Sequence, residues 1–433
     1  MTNDRELALT GATVLVGASL APHRDCTVLI GDGRVRDVGA DVRIPPAARV
    51  LDLTGHTVLP GLIDTHVHLG APETAARRPA GGRRGGPGSE GSGRPRKAGP
   101  GLADRLAAGA AQVRAVADWL RFQPRKRRAF LGHGVTTVCS LGDDNAWVHD
   151  FRRRTAQGGL VGPRLLIAGP VFTAPGGHPV ATLGAEPDSD WVRVPADPEQ
   201  ARDQVAALVG GDDPVDVVKV VHDRGDPRRR DLEPIDPRIL AAIADEAHRY
   251  GRPLVAHWGT VEDLAELLDA GVDVLQHLEP RGPLNGWPPH LLDAMVEGGV
   301  ALAPTLAVTE ALLDAATAAS LRARVADFLD AGGTLLAGSD AGMPAVRAGA
   351  GLVREIELLA SCGSTPRQAL AAATSAAAGA LGAHHLGAVE PGRAADLLAV
   401  RGDPLTGLDA LREVALALRD GRAVVDRTRE KAS

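Results

Sequence analysis

Between residues 60 and 386, short β-branched runs alternate with longer stretches of helical periodicity, and this alternation admits few architectures. Eight runs read as strands: Gly61 to Leu69, Val135 to Leu141, Arg164 to Phe172, Val215 to Val221, Pro253 to His257, Val272 to His277, Val300 to Thr305 and Thr334 to Ser339. A repeated strand-then-helix pattern buries both faces of a strand only in a parallel sheet covered by its own helices. Eight such units over roughly 300 residues fit an α/β chain folded as a (β/α)8 TIM barrel, whose usual size is about 250 residues before insertions.

The flanks have a different texture. Residues 6 to 59 read as short strands joined by turns, with a hairpin signal at Gly31-Asp-Gly33, and a similar pattern returns at Ala395–Arg401, Val414–Leu418 and Ala423–Asp426. The two ends are expected to pair as a satellite β-sandwich domain, residues 1–59 and 387–433, leaving 60–386 as the main domain. One segment breaks the pattern: residues 77–101 hold nine Gly, four Pro and seven basic residues against one acid, Glu90. Such a composition cannot bury a core and predicts a flexible loop, either an inert insertion or a lid leaving from the end of the first strand.

Six side chains able to bind a metal close these apolar runs: His66, His68, Lys219, His257, His277 and Asp340. Residues two apart on a strand point to one face, so His66 and His68 can offer two imidazoles to one ion. The C-terminal ends of the strands are also where chemistry lies in a (β/α)8 barrel. Singly, each residue has an ordinary structural use: a hydrogen-bonded core histidine, a paired lysine, or an aspartate capping a helix. Together and in this order they point to a metal centre.

Lysine is scarce, since only Lys97, Lys126, Lys219 and Lys431 occur against 44 arginines, so a lysine inside Val217-Val-Lys-Val-Val221 needs a reason. A buried ammonium is costly, and burial lowers its pKa. The neutral amine so favoured can react with carbon dioxide to give a carbamate, whose two oxygens and negative charge can bridge two divalent ions. Two dications would then face a carbamate, an aspartate and a hydroxide, with four neutral imidazoles completing the shells.

At net charge −6 the chain gives no reason to expect nucleic acid or an anionic membrane as partner. Three scattered cysteines, Cys26, Cys139 and Cys362, argue against a disulfide scaffold or thiolate zinc site. With no signal-peptide pattern at the start and no long apolar run, a cytoplasmic location is expected.

Across nearly its whole length the sequence resembles the amidohydrolase superfamily in its binuclear, carboxylated-lysine form. The resemblance rests on Val58-Leu-Pro-Gly-Leu-Ile-Asp-Thr-His-Val-His68, on the four later ligand-bearing runs, and on the closing Ser375–Gly382 and Gly387–Leu398 segments. It implies that His66, His68 and Asp340 hold the more buried ion, that His257 and His277 hold the other, and that carboxylated Lys219 bridges them. Asp340 would also take a proton from a metal-bridging hydroxide and deliver it to the leaving group. Zinc is the default metal, with bicarbonate or carbon dioxide supplying the carbamate.

The segments Val217–Val221, Ala244–His257 and Gly363–Thr374 look similar to the branch of imidazolonepropionase-related proteins and metal-dependent prolidases. That branch implies hydrolysis of a C–N bond in a small amide, peptide or cyclic amide, in a family compatible with homo-oligomers. His178 in Pro175-Gly-Gly-His-Pro179, and His222 and Arg224 beyond Lys219, are candidate substrate contacts, the arginine for a carboxylate.

Three alternatives stand beside this reading. A mononuclear deaminase or cyclic-imine hydrolase needs no bridging lysine and often has a glutamate three residues after the fifth-strand histidine, where this chain has Thr260. Lactone or ester hydrolysis would use the same machinery. A non-catalytic scaffold would have lost a ligand, and none is missing.

Overall fold

The computed structural model describes residues 6–70, 123–226, 230–279, 281–282 and 285–428. The expected loop at 77–101 lies outside them.

Strands from both chain ends form one hydrogen-bonded sheet of eight strands. The N-terminal part supplies Leu7–Val16, Ala21–Gly31, Arg34–Gly39, Arg49–Asp52 and His56–Pro60, and the C-terminal part Leu397–Arg401, Val414–Arg419 and Arg422–Asp426. The ends meet where Leu397–Arg401 runs antiparallel to His56–Pro60, in register from Leu397 opposite Pro60 to Arg401 opposite His56. The hairpin signal is realised at Asp32-Gly33, both at positive φ (51° and 74°), as a two-residue turn matched to strand twist requires. Leu9, Val14, Val28, Val58, Leu397 and Leu416 bury one shared cluster there.

The central part is mixed α/β. Its parallel strands are β1 (Leu62–Val67), β2 (Val135–Ser140), β3 (Arg164–Ile167), β4 (Val218–His222), β5 (Leu254–Trp258), β6 (Val274–Gln276), β7 (Ala301–Ala303) and β8 (Thr334–Leu335). Among the described residues, pairing gives β1-β2-β3 as one sheet and β4 to β8 as another, the latter extended beyond β4 by Val171–Phe172 and Val192–Arg193.

The expected third strand, Arg164 to Phe172, is therefore two pieces. Arg164–Ile167 follows β2, whereas Phe172 pairs with Val220 of β4. Gly169, at φ 66°, and Pro170, which lacks an N–H, break the ladder between them. The eighth strand is shorter than expected as well, but its continuation stays hydrogen-bonded. Leu336 donates to the Leu302 carbonyl at 2.9 Å, Thr65 to that of Ala337 at 3.1 Å, and Asp340 to that of His66 at 2.9 Å. On the other side Asp216 donates to the Ile167 carbonyl at 2.8 Å. Backbone bonds thus cross both seams between the two sheets.

Helices cover the strands with amphipathic faces. Pro237–Arg249 buries Ile239, Leu240, Ile243 and Ala247, and Val261–Asp269 starts at a Thr260/Asp263 capping box. The satellite sheet is fastened to this core by Arg164, which bonds both oxygens of Asp396 at 2.9 and 3.1 Å and also reaches Asp420. No helix among the described residues is long and apolar enough to cross a membrane.

Candidate metal centre

His66 and His68 leave β1 on one face, and their Nε2 atoms are 3.2 Å apart. The bond from Asp340 N to the His66 carbonyl, with Asp340 at φ 54°, turns the Asp340 carboxylate over them. Its Oδ1 is 3.3 Å from His68 Nε2 and 3.7 Å from His66 Nε2. Four ligands at zinc-like bond lengths of about 2.0–2.1 Å are about 3.3 Å from each other in a tetrahedron, so this triad has the spacing of ligands around one ion.

Partners behind the imidazoles fix which nitrogen faces inward. His66 Nδ1 is 2.9 Å from Oε1 of the buried Gln276, freeing Nε2 for the cluster. His277, at φ 70°, has Nδ1 2.9 Å from Thr305 Oγ1. Its ring centroid is 4.7 Å from that of His66 and 4.9 Å from that of His257. His66, His277 and Asp340 offer ligand atoms all within 4.8 Å of one another.

On the far side, His257 Nε2 meets Asp223 Oδ2 at 3.3 Å, and Asp223 is held by Arg281 at 2.6 and 3.0 Å and by Gly225 N at 2.7 Å. Burial alone would raise the Asp223 carboxyl, but hydrogen bonds from His257 and Arg281 hold it well below the usual carboxylate range.

Lys219 is 3% exposed, and among the described residues its Nζ has no hydrogen-bond partner. Burial pushes the amine down to about 7, with Asp340 opposing. Burial likewise lowers His66 to about 3 and holds His277 well below its ordinary value, so both are neutral, which is the form that binds metal. Asp340 Oδ1 has only the His68 and His66 imidazoles beside it, at 3.3 and 3.7 Å. An orphaned amine and a buried carboxylate beside the neutral His66 and His277 imidazoles fit a cationic occupant better than a closed hydrogen-bond network.

The six expected ligands all line one cavity of about 820 Å³. His178 joins them, its ring stacked 5.9 Å from that of His257, its Nδ1 on Thr182, and its pKa lowered to about 4 by burial and by His257. His222 and Arg224 are placed elsewhere. His222 is buried with Nε2 2.7 Å from Glu266, while Arg224 grips Glu266 at 2.6 Å and also Asp263, so both face the helix Val261–Asp269 instead of the cavity. Thr260 caps that helix through Asp263 N.

Sequence reading passed over Asp64, Gln276, Thr305, Asp223 and Arg281. Asp64 is fully buried and takes both Ser339 N, at 2.8 Å, and Ser339 Oγ, anchoring the turn that carries Asp340; burial raises its pKa to about 7. The available signal was polarity inside apolar runs, two residues before His66 for Asp64 and one before His277 for Gln276.

The model of the Amidohydrolase family matches residues 125–424. A dihydroorotase of Mycobacterium tuberculosis is 49% identical over 45 residues, 10% of either chain. An imidazolonepropionase of Salinispora tropica is 46% identical over 50 residues, 12% of this chain and 13% of that protein. The matched stretches thus span a small part of these curated relatives. Among solved structures, a putative prolidase from Bifidobacterium longum is 27% identical with TM-score 0.70, covering 97% of this chain and 94% of that one. A Xaa-Pro dipeptidase with methionine in its active site has TM-score 0.73 at 21% identity, over 96% and 99%, a likeness of fold. With a family match over residues 125–424, the chain belongs to the amidohydrolase family.

Proposed function

We propose that the protein is a metal-dependent amidohydrolase that cleaves a C–N bond of an amide, peptide or cyclic amide. The observation that carries this reading is the convergence of six ligand-type side chains on one cavity around a buried Lys219 amine that has no hydrogen-bond partner among the described residues. His66, His68 and Asp340 would hold one divalent ion, His257 and His277 a second, and carboxylated Lys219 would bridge them, with zinc as the metal. Carboxylation joins the Lys219 amine to carbon dioxide and releases one proton. Bound there, the ions would supply Lewis acidity toward the substrate carbonyl and make water more acidic.

The chain's own residues do the rest. Asp340 accepts the proton of the attacking water and passes it to the departing nitrogen. Gln276 keeps His66 in the tautomer that turns Nε2 inward, and Thr305 holds the His277 ring through Nδ1. Asp223 does the converse for His257 by engaging Nε2, so that Nδ1 would be the atom available to hold the second ion. Neighbours named as a prolidase and a Xaa-Pro dipeptidase support a peptide or amide substrate. The eight parallel segments with their bonded seams are read as one closed (β/α)8 barrel spanning 60–386. The end-to-end sheet is read as a satellite sandwich made of 1–59 and 387–433.

The test is Lys219→Ala. With the bridge gone, bound metal should fall by about one ion per chain and amide hydrolysis by a factor on the order of 10² or more, with short carboxylic acids restoring part of both. Wild-type metal content and turnover in that variant would refute the bridged centre.

A further inference from the structure

Above the polar floor, the cavity wall is apolar and comes from separate elements: Leu183, Trp191, Val308, Leu312, Leu313 and Met343. Only five large apolar side chains among the described residues are strongly exposed, and two of them, Leu183 at 67% and Leu312 at 47%, line this cavity. Leu183 ends the helix Val180–Leu183, none of whose residues is buried, and Leu312 ends Leu306–Leu312. Exposed leucines on two elements around one cavity mark a surface that a ligand covers.

Of the charged groups around the floor among the described residues, most are engaged within the protein, while Glu279, 3.8 Å from Arg281, lines the cavity and is partly exposed. Asp143 accepts from Leu69 N and Gly70 N, both at 2.8 Å, and Asp144 caps a helix through Trp147 N. Arg281 is spent on Asp223, and Arg224 on Asp263 and Glu266. Among the described residues, what meets a ligand beyond the candidate metal ligands, His178 and Glu279 is therefore mostly hydrocarbon. A volume of about 820 Å³ is also far larger than a scissile amide needs.

We infer that the substrate carries a bulky apolar group, seated against Trp191 and the Leu183 and Leu312 rim. This rests on the hydrolase reading, because the metal floor sets where the amide lies. Leu183 and Leu312 are then specificity-determining residues, and their exposure in the free protein is relieved when substrate binds.

The test uses alkyl hydroxamates, which chelate divalent ions, on the full chain loaded with zinc and bicarbonate. Dissociation constants for aceto-, butyro-, hexano- and octanohydroxamate would be measured by calorimetry for the wild type and for Leu183→Ser/Leu312→Ser. The rim residues are exposed, so the double variant should fold. Each CH2 that is buried tightens binding about fourfold, so a gain of at least about tenfold from aceto- to octanohydroxamate is expected, shrinking severalfold in the variant. Equal affinities along the series would overturn the apolar-wall inference and leave the metal centre standing. Failure of every hydroxamate to bind the zinc-loaded chain would overturn the metal-centred function, and this inference with it.

Discussion

Lys219 and Asp223 mark the two ends of what a single residue can disclose. A lysine amid valines is anomalous on sequence alone, since a charged amine there is costly, and the structure places it buried and unpartnered among the described residues. The histidines and Asp340 were legible for a similar reason: their types are those that bind metal, and each closes an apolar run. Asp223 carried no such mark. Its meaning lies in the 3.3 Å approach to His257 and the clamp from Arg281, 58 residues away, neither of which can be read along the chain. Its neighbours His222 and Arg224 drew attention for their side-chain chemistry, yet they serve Glu266 and Asp263. If Asp223 orients His257, then Asp223→Asn should weaken the second ion's binding by about 10- to 100-fold while the first stays bound. Metal titration of the apo-protein followed by calorimetry reads this directly. Two unchanged binding steps would reduce Asp223 to a buried anchor for Arg281 and Gly225.

At the scale of elements, strand positions followed from β-branched runs, but their ends did not. The Gly169-Pro170 break is visible in the sequence, yet whether it ends a strand or kinks it depends on whether Phe172 finds a partner in Val220. The shortened eighth strand likewise reflects hydrogen bonds shared among β1, β7 and the turn held by Asp64. The turn after β7 is set by a residue far away in sequence: Glu355, fully buried, accepts from Leu306 N at 2.9 Å and Ala307 N at 2.7 Å. It thereby fixes Thr305, at φ 51°, whose hydroxyl meets His277. Burial raises the Glu355 carboxyl from its ordinary 4.5 to about 8. Because its folded value lies above its unfolded one, the group's contribution to stability is full below about pH 4.5 and is lost as pH rises through about 8. Glu355→Gln removes this titration, so its stability should gain on that of the wild type between pH 5 and pH 8. Urea denaturation at the two pH values checks it, and a pH-independent difference would mean that Glu355 does not titrate in that window.

For the whole molecule, the alternation of runs made an α/β chain legible, and the β-rich flanks announced that both ends would share a sheet. The fastening of that sheet to the centre was not legible, because Arg164 opens β3 while Asp396 and Asp420 lie 232 and 256 residues on. The candidate ligands lie in or just after strands spread from residue 62 to 335, so a centre of this kind would exist only when the complete fold brings them together. That makes metal content a measurement of the whole account. Protein purified without chelator, supplied with bicarbonate and zinc and then desalted, should contain about two ions per chain by inductively coupled plasma mass spectrometry. A single ion, persisting after reconstitution with excess metal, would contradict the bridged binuclear centre and favour a mononuclear hydrolase or deaminase on the same fold.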